Sequence, residues 1–166
     1  MPLFEPVFAA LNAGDVRYVV VGGVATVLHG FARLTADVDL IVDLEPSEAL
    51  KAMRALSSLG LRPRPPVAAE MFADPVARKE WIDTKGMRVF SMWDPSTPLL
   101  EVDVFVESPV PFSDLWARSE VVQLSETTAR IASIADLIFL KSLAGRPEDL
   151  LDIEALEQIQ RRRGTP

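Results

Sequence analysis

Two aspartates one residue apart, Asp37 and Asp39, are the residues whose type and spacing best suit chemistry in this chain. Side chains alternate across a β-strand, so both carboxylates point to one face while Val38, Leu40 and Val42 point to the other. Two like charges held this close raise the free energy unless a cation lies between them. A solvated strand end is the alternative interpretation, and the residues that precede the pair favour metal binding.

A glycine pair, Gly22-Gly23, follows the apolar run YVVV, which predicts a buried strand, and opens a short helix that ends near His29-Gly30. Glycine lets the backbone turn sharply and approach a ligand closely. Unpaired N–H groups at a helix N-terminus favour anions. A phosphate-binding turn followed by a metal-binding carboxylate pair is expected of an enzyme that handles nucleoside triphosphates.

A third acid, Asp103, lies in the middle of a later candidate strand, residues 99–106. Alternation places it on the same face as Glu101 and Phe105. On its own, Asp103 would be interpreted as a solvated strand residue. Beside the first pair it completes a three-carboxylate cluster, whereas Glu101 is a spare acid with no assigned role.

The glycine pair, the short helix and Asp37-x-Asp39 together resemble the signature of the DNA polymerase β-type nucleotidyltransferase superfamily. The run HGFARLTADVDLIV is similar to small bacterial members that include the AbiE-type toxin nucleotidyltransferases. This resemblance implies that Asp103 is the third carboxylate, which these families carry on a later strand. It also implies a nucleoside triphosphate (NTP) substrate, RNA such as tRNA as an acceptor, and an antitoxin as a protein partner.

Four further residues are assigned to nucleotide or phosphate binding together with the glycine pair. Arg33 and Thr35 lie in an R-x-T-x-D-x-D run that the resembling families share; Arg33 could reach a triphosphate or orient Asp37 by a forked hydrogen bond, and a surface arginine is the alternative. The run LKSLAGRPEDLLDIEAL is similar to the closing segment of the same families, which implies site roles for Lys141 and Arg146. Lys141 by itself is equally compatible with snorkelling at a helix end.

The chain contains no cysteine and a single histidine, His29, and this composition excludes several classes of enzyme. A zinc site generally needs several Cys or His ligands, so a zinc hydrolase is not expected. Neither the P-loop nor the Rossmann glycine motif is present. An all-oxygen site favours Mg²⁺ or Mn²⁺ as the cofactor. His29 is assigned either to capping helix carbonyls or to contacting the nucleotide.

The net charge of −7 argues against broad, nonspecific binding of nucleic acid, which requires neutralisation of phosphates. Two basic groups still leave a local RNA-facing surface open: Arg62, Arg64, Arg78, Lys79, Lys85 and Arg88 in the middle of the chain, and Arg161, Arg162 and Arg163 near its end. The longest apolar run is too short to span a bilayer, and the N-terminus lacks the basic opening of a secretory signal. A cytoplasmic protein without a membrane partner is therefore expected.

The expected fold is α/β, a nucleotidyltransferase fold with a mixed β-sheet flanked by helices and a helical C-terminal segment. A single domain is predicted over 1–166, with a catalytic core in 1–132 and packed helices in 133–166. Gly14 is expected to be a left-handed helix cap and Leu143 to face inward. Helices are predicted at 3–13, 24–28, 46–59, within 67–82, at 111–117 and 133–143, and from Pro147; strands are predicted at 17–21, 37–43, 87–93, 99–106, 121–124 and 128–131.

These inferences predict a Mg²⁺-dependent enzyme that transfers a nucleoside monophosphate from an NTP to an acceptor hydroxyl, with RNA as the first candidate acceptor. Two alternatives stay open. One is transfer to a small molecule or a protein, as in antibiotic adenylylation. The other is a noncatalytic module that keeps the fold and binds metal or nucleotide.

Overall fold

A computed structural model of the protein describes residues 3–97 and 100–164. In these residues seven α-helices and one 3₁₀ helix accompany seven strands. The helices are α1 (Glu5–Ala13), α2 (Gly22–Leu28), α3 (Pro46–Ser58), the 3₁₀ helix (Ala69–Ala73), α4 (Pro75–Lys85), α5 (Phe112–Arg118), α6 (Ile134–Ala144) and α7 (Pro147–Arg163). The strands are β1 (Tyr18–Val21), β2 (Asp37–Val42), β3 (Arg62–Pro63), β4 (Val89–Trp93), β5 (Glu101–Phe105), β6 (Glu120–Gln123) and β7 (Thr128–Ile131).

All seven strands form one mixed sheet in the order β3-β4-β5-β2-β1-β7-β6. The centre of the sheet is β5-β2-β1, in which β2 runs parallel to β5 and antiparallel to β1. Every residue of β1 is buried, as its β-branched, apolar sequence predicts for a central strand. The predicted α/β fold with a mixed sheet and a helical C-terminal end is confirmed.

Alternation along β2 and β5 separates a core face from a polar face. Val38, Leu40, Val102 and Val104 are fully buried, whereas the aspartates between them keep some exposed surface. The hydrophobic core therefore fixes which way the acids point, because a shift of one residue would place carboxylates in the core.

The α6–α7 hairpin closes the described chain and packs against α2, the helix that the glycine pair begins. Ser133 caps α6 by accepting a hydrogen bond from the backbone N–H of Asp136 (3.1 Å). Pro147 begins α7, where a fixed φ and a missing N–H suit the first helical position. None of the helices in the described ranges is both long and apolar enough to cross a bilayer.

Some local predictions were wrong. Gly14 has φ of −81°, and it is Asp15 that takes the left-handed conformation, with φ of 49°. Leu143 is 56% exposed rather than inward-facing, because the outer side of α6 is as apolar as its inner side and periodicity alone does not distinguish them. The two-residue strand β3 was not predicted. The strand predicted at 99–106 corresponds to β5, and its predicted first residue, Leu99, lies outside the described residues.

Candidate active site

The three predicted acids come together on the polar face of the sheet. Asp39 is paired in register with Asp103 on the neighbouring strand β5, and Asp37 is paired with Glu101. One carboxylate oxygen from each of Asp37, Asp39 and Asp103 lies within 4.8 Å of the other two. Because β2 and β5 are adjacent and parallel, strand pairing rather than a flexible loop sets this spacing. We call these three residues the acid triad.

The acid triad holds negative charge in a poorly solvated place. The pKa of Asp39 is raised from 3.8 to about 6, mainly by burial and then by the charges of Asp37 and Asp103, against a smaller lowering by Arg146 and Lys141. The residue keeps some exposed surface, but protein surrounds its carboxyl group on most sides. The free energy of the metal-free site is therefore raised by both desolvation and repulsion.

Asp103 is the better solvated and better supported of the two facing acids. Burial raises its pKa, a hydrogen bond from the Ser91 hydroxyl holds the pKa down, and the charge of Asp37 raises it. Ser91 lies directly opposite Asp103 on β4. This bond fixes the orientation of one carboxylate oxygen of Asp103.

The glycine pair is pressed against the acid triad. The helix α2 begins at Gly22 itself, whose φ of +63° favours glycine. A Cβ atom on Gly22 would lie 1.9 Å from Oδ2 of Asp39. A Cβ atom on Gly23 would lie 2.5 Å from Oγ1 of Thr35. Since real side chains do not approach this closely, both positions need glycine for α2 to start beside the carboxylates.

Thr35 and Arg33 lie over the same helix start. The Thr35 hydroxyl donates a hydrogen bond to the backbone carbonyl of Asp37 (3.3 Å), which ties the loop to the first residue of β2. Arg33 forms an ion pair with Asp152 of α7. The predicted alternative in which Arg33 orients Asp37 was wrong: its guanidinium is directed to α7.

Lys141 and Arg146 are both held by aspartates of α7. Lys141 is 4% exposed, and its Nζ lies 2.6 Å from Oδ2 of Asp152 and 3.5 Å from Oδ1 of Asp149. Nε of Arg146 lies 3.0 Å from Oδ2 of Asp149. The snorkelling alternative for Lys141 was therefore wrong, because its ammonium group is buried.

Asp149 and Asp152 were not included among the predicted site residues. They are 1% and 3% exposed, and a carboxylate this deeply buried is uncommon unless it is paired. Their spacing of three residues on one face of α7 was visible in the sequence. The partners of Asp152 were not visible, because Lys141 and Arg33 lie on other elements.

Other polar residues near the sheet have structural roles. Glu101 forms a forked ion pair with Arg64, at 2.9 and 2.7 Å. Asp43, at the end of β2, pairs with Arg17 at 2.7 Å. His29 is buried, and its Nε2 lies 2.8 Å from the carbonyl oxygen of Ala132. The imidazole therefore contacts a backbone carbonyl, as the capping interpretation predicted, and this carbonyl belongs to the chain just before α6. The pKa of His29 is lowered because burial disfavours its charged form.

The proposed RNA-facing basic surface is weaker than the sequence indicated. Arg78 is 6% exposed and donates hydrogen bonds to the backbone carbonyls of Phe72 and Leu44. Arg64 is paired with Glu101, and Lys79 is paired with Asp83 at 2.7 Å. Three of the six middle basic residues are therefore engaged within the chain.

The donor set of the acid triad fits a hard divalent cation. Three carboxylate oxygens converge, with neither imidazole nor thiolate among them, and such donors suit Mg²⁺ or Mn²⁺. Opposite ligands of one Mg²⁺ ion lie about 4.2 Å apart, close to the spacing found here. The residues present therefore fit the predicted cofactor.

Comparisons with known proteins identify a matching family and a shared fold. Residues 4–162 match the family described as nucleotidyltransferase of unknown function (DUF6036). No curated protein matches the sequence. Three solved structures share the fold, and the first is the antibiotic-resistance factor ANT(2'')-Ia, with a TM-score of 0.61 and 14% identity over 98% of this chain and 83% of that one. The second is the lincosamide antibiotic adenylyltransferase LnuA with lincomycin bound, with a TM-score of 0.62 and 14% identity over 95% of this chain and 96% of that one. The third is a Thermotoga maritima protein provisionally assigned as a nucleotidyltransferase, with a TM-score of 0.59 and 15% identity over 97% of this chain and 92% of that one.

Proposed function

This chain belongs to the nucleotidyltransferase family that matches residues 4–162, and on that premise we propose that it transfers a nucleoside monophosphate from an NTP to an acceptor hydroxyl at the acid triad. One observation carries the proposal. Three carboxylates converge within 4.8 Å beside a helix start that only glycine allows. The AbiE-type subfamily, and with it an antitoxin partner, stays a prediction.

The reaction requires positioning and charge neutralisation more than a reactive side chain. The acceptor oxygen forms a bond to the α-phosphorus, the bond from that phosphorus to the bridging oxygen breaks, and pyrophosphate leaves. Divalent cations at such a site neutralise triphosphate charge and lower the pKa of a bound hydroxyl. A chain with one histidine and no cysteine is compatible with this chemistry.

Each part of the site has an assigned task. Asp37 and Asp39 would hold a divalent cation, which would neutralise charge on the triphosphate. Asp103, oriented by Ser91, completes the ligand set on the side where the acceptor hydroxyl loses its proton. The backbone amides at Gly22 and Gly23 bind the phosphates that leave.

Cations behind the triad complement the leaving group. Arg146 and Lys141 act electrostatically on Asp39, so they lie near enough to attract the negative charge of a triphosphate. Arg33 lies beside Gly23, since a Cβ atom there would be 3.8 Å from its Cζ. With Thr35, these side chains are the proposed phosphate-binding residues.

Two classes of acceptor are candidates. RNA was the first expected acceptor because of the clustered basic residues. Burial of Arg78 and the surface ion pairs of Arg64 and Lys79 reduce the positive charge available to it. The similar structures of LnuA and ANT(2'')-Ia belong to an antibiotic adenylyltransferase and an antibiotic-resistance factor. A small-molecule hydroxyl is therefore the second candidate acceptor.

The test uses each of the four NTPs labelled at the α-phosphate, with Mg²⁺ and either total RNA or a panel of hydroxyl-bearing antibiotics that includes lincomycin. Transfer of label to either acceptor class supports the proposal and identifies that class. The same reactions with Asp39→Asn should show no transfer.

Two outcomes would contradict the proposal. Wild-type protein that binds a Mg²⁺–NTP complex but labels no acceptor would be a noncatalytic nucleotide-binding module. Transfer that persists undiminished in Asp39→Asn would locate the chemistry elsewhere in the chain.

A further inference from the structure

A cluster of charged side chains with a buried centre joins α6, α7 and the loop before β2. We call it the α7 ion cluster, and it consists of Arg33, Lys141, Arg146, Asp149 and Asp152. Its two aspartates and its lysine are each at most 4% exposed. Three positive and two negative charges leave it with one net positive charge beside the acid triad.

Asp152 is the centre of this cluster. Its Oδ2 oxygen accepts a hydrogen bond from Lys141 Nζ at 2.6 Å and also contacts Nη1 of Arg33. Lys141 comes from α6 and Arg33 from the loop before β2, so one carboxylate oxygen joins three separate elements. Asp149 is different, because its closest cation, Arg146, lies at the start of the same helix. The Asp149 carboxylate accepts hydrogen bonds from the backbone N–H and from Nε of Arg146.

The Arg33 side chain that Asp152 holds lies against the start of α2. Its Cζ would be 3.8 Å from a Cβ atom on Gly23, and its side chain is 30% exposed. The Arg33 guanidinium has five N–H donors. Among the described residues, Asp152 accepts a hydrogen bond from Nη1 and the backbone carbonyl of Leu34 accepts one from Nε. Donors are therefore left for an anion bound at Gly23.

Stability gives little reason to keep such a cluster. Desolvation of a buried ion pair offsets most of its attraction, and apolar replacements are often neutral or stabilising. Two cations placed on one oxygen would also repel each other without the carboxylate between them. A buried arrangement that places two cations at a fixed site is instead typical of a binding site that must be formed before its ligand arrives.

We propose that Asp152 is a positioning residue for the triphosphate: it holds Arg33 beside Gly23 and holds Lys141 at the same carboxylate oxygen, so that both positive charges are arranged before the phosphates bind. This inference rests on the proposed function. It adds a role for a residue that does not itself contact the substrate.

The test measures binding of inorganic tripolyphosphate with Mg²⁺ by calorimetry, because this probe carries the phosphates of any NTP and no base. We expect Asp152→Asn to weaken tripolyphosphate binding at least tenfold. The matched control is Asp136→Asn, another aspartate of low exposure (6%) that pairs with an arginine, Arg118, at 2.7 Å. The control should bind as wild type does.

Steady-state kinetics separate positioning from a general loss of structure. Asp152→Asn should raise the KM for the NTP at least tenfold while leaving the KM for the acceptor unchanged. A structural defect would instead change both constants or reduce the active fraction. Unchanged tripolyphosphate affinity would overturn the inference, and so would tighter binding, which would show that Asp152 competes with phosphate for the two cations.

A second variant covers the case in which Asp152→Asn does not fold. Arg33→Met shortens a partly exposed side chain and should also weaken tripolyphosphate binding at least tenfold; unchanged binding would overturn the inference. Where both variants fold, their effects should be less than additive, because they remove one unit. The proposed function alone would be refuted if the wild-type protein binds tripolyphosphate but transfers no nucleotide. The role of Asp152 alone would be refuted if Asp152→Asn and Arg33→Met both bind tripolyphosphate and transfer nucleotide as wild type does.

Discussion

Replacing Asp39 by asparagine should stabilise the metal-free protein while abolishing catalysis. The pKa of Asp39 is raised from 3.8 to about 6, first by burial and then by Asp37 and Asp103. Each pKa unit corresponds to about 1.4 kcal/mol, so ionised Asp39 lowers the free energy of unfolding by at most about 3 kcal/mol. Because the residue keeps some exposed surface, we expect a gain of about 1–3 kcal/mol from the substitution.

The gain should depend on pH in a defined direction. The folded protein keeps the proton on Asp39 up to about pH 6, whereas the unfolded chain releases it near pH 3.8. Between these values the folded state binds more protons, so the contribution of Asp39 to stability falls as pH rises. The difference between Asp39→Asn and wild type should be full at pH 8 and small at pH 4.

The assay is urea unfolding in EDTA at pH 8, 6 and 4, with Asp43→Asn as the control. Asp43 is an acid that directly follows β2, but it is paired with Arg17 at 2.7 Å, so its replacement should give no gain. A gain of 1–3 kcal/mol corresponds to roughly 2–12 °C in Tm for a chain of this size. A loss of stability in Asp39→Asn at pH 8, or a difference that does not change with pH, would refute the reasoning and mark Asp39 as a structural group.

Three further predictions concern other parts of the site and the core. Gly22→Ala should abolish transfer, because its Cβ atom would displace Asp39. The control is Gly86→Ala, at a matched φ of +60° in open space, which should lose only about 1–2 kcal/mol of stability and keep its activity. Unfolding and transfer assays measure the two effects. Saturating Mg²⁺ should raise the Tm of wild type but not of Asp39→Asn; an equal rise in both would indicate that the ion binds elsewhere. Arg78→Met should lower the free energy of unfolding by about 1–3 kcal/mol, because two backbone carbonyls lose a buried donor. The kinetics with NTP should not change. A selective loss of RNA transfer would show instead that Arg78 contacts an acceptor.

The sequence predicted those parts of the site that local periodicity and chain order determine. The alternation in DVDLIV and EVDVF places each acid on the polar face, because burial of the valines leaves no other register. The pairing of β2 with β5 does not follow from alternation, and it was the family resemblance that brought Asp103 to Asp37 and Asp39. The position of the glycine pair also followed from its motif.

Contacts between distant elements were not predictable in the same way. Asp152 lies 119 residues after Arg33, and nothing local to either indicates the pair. Arg78 was grouped with the other basic residues of the middle stretch as part of a candidate RNA-facing surface, yet it turns inward to reach carbonyls of Phe72 and Leu44. Long cationic side chains can be buried when backbone acceptors are available, which the types of neighbouring residues do not show.

The most direct test of the account is Mn²⁺ binding, followed by EPR, to wild type and Asp103→Asn. The account requires an acid of β5 to share an ion with two acids of β2, so Asp103→Asn should bind Mn²⁺ at least tenfold more weakly than wild type, while Asp43→Asn binds it normally. Equal affinity in wild type and Asp103→Asn would contradict the shared metal site and, with it, the proposed chemistry.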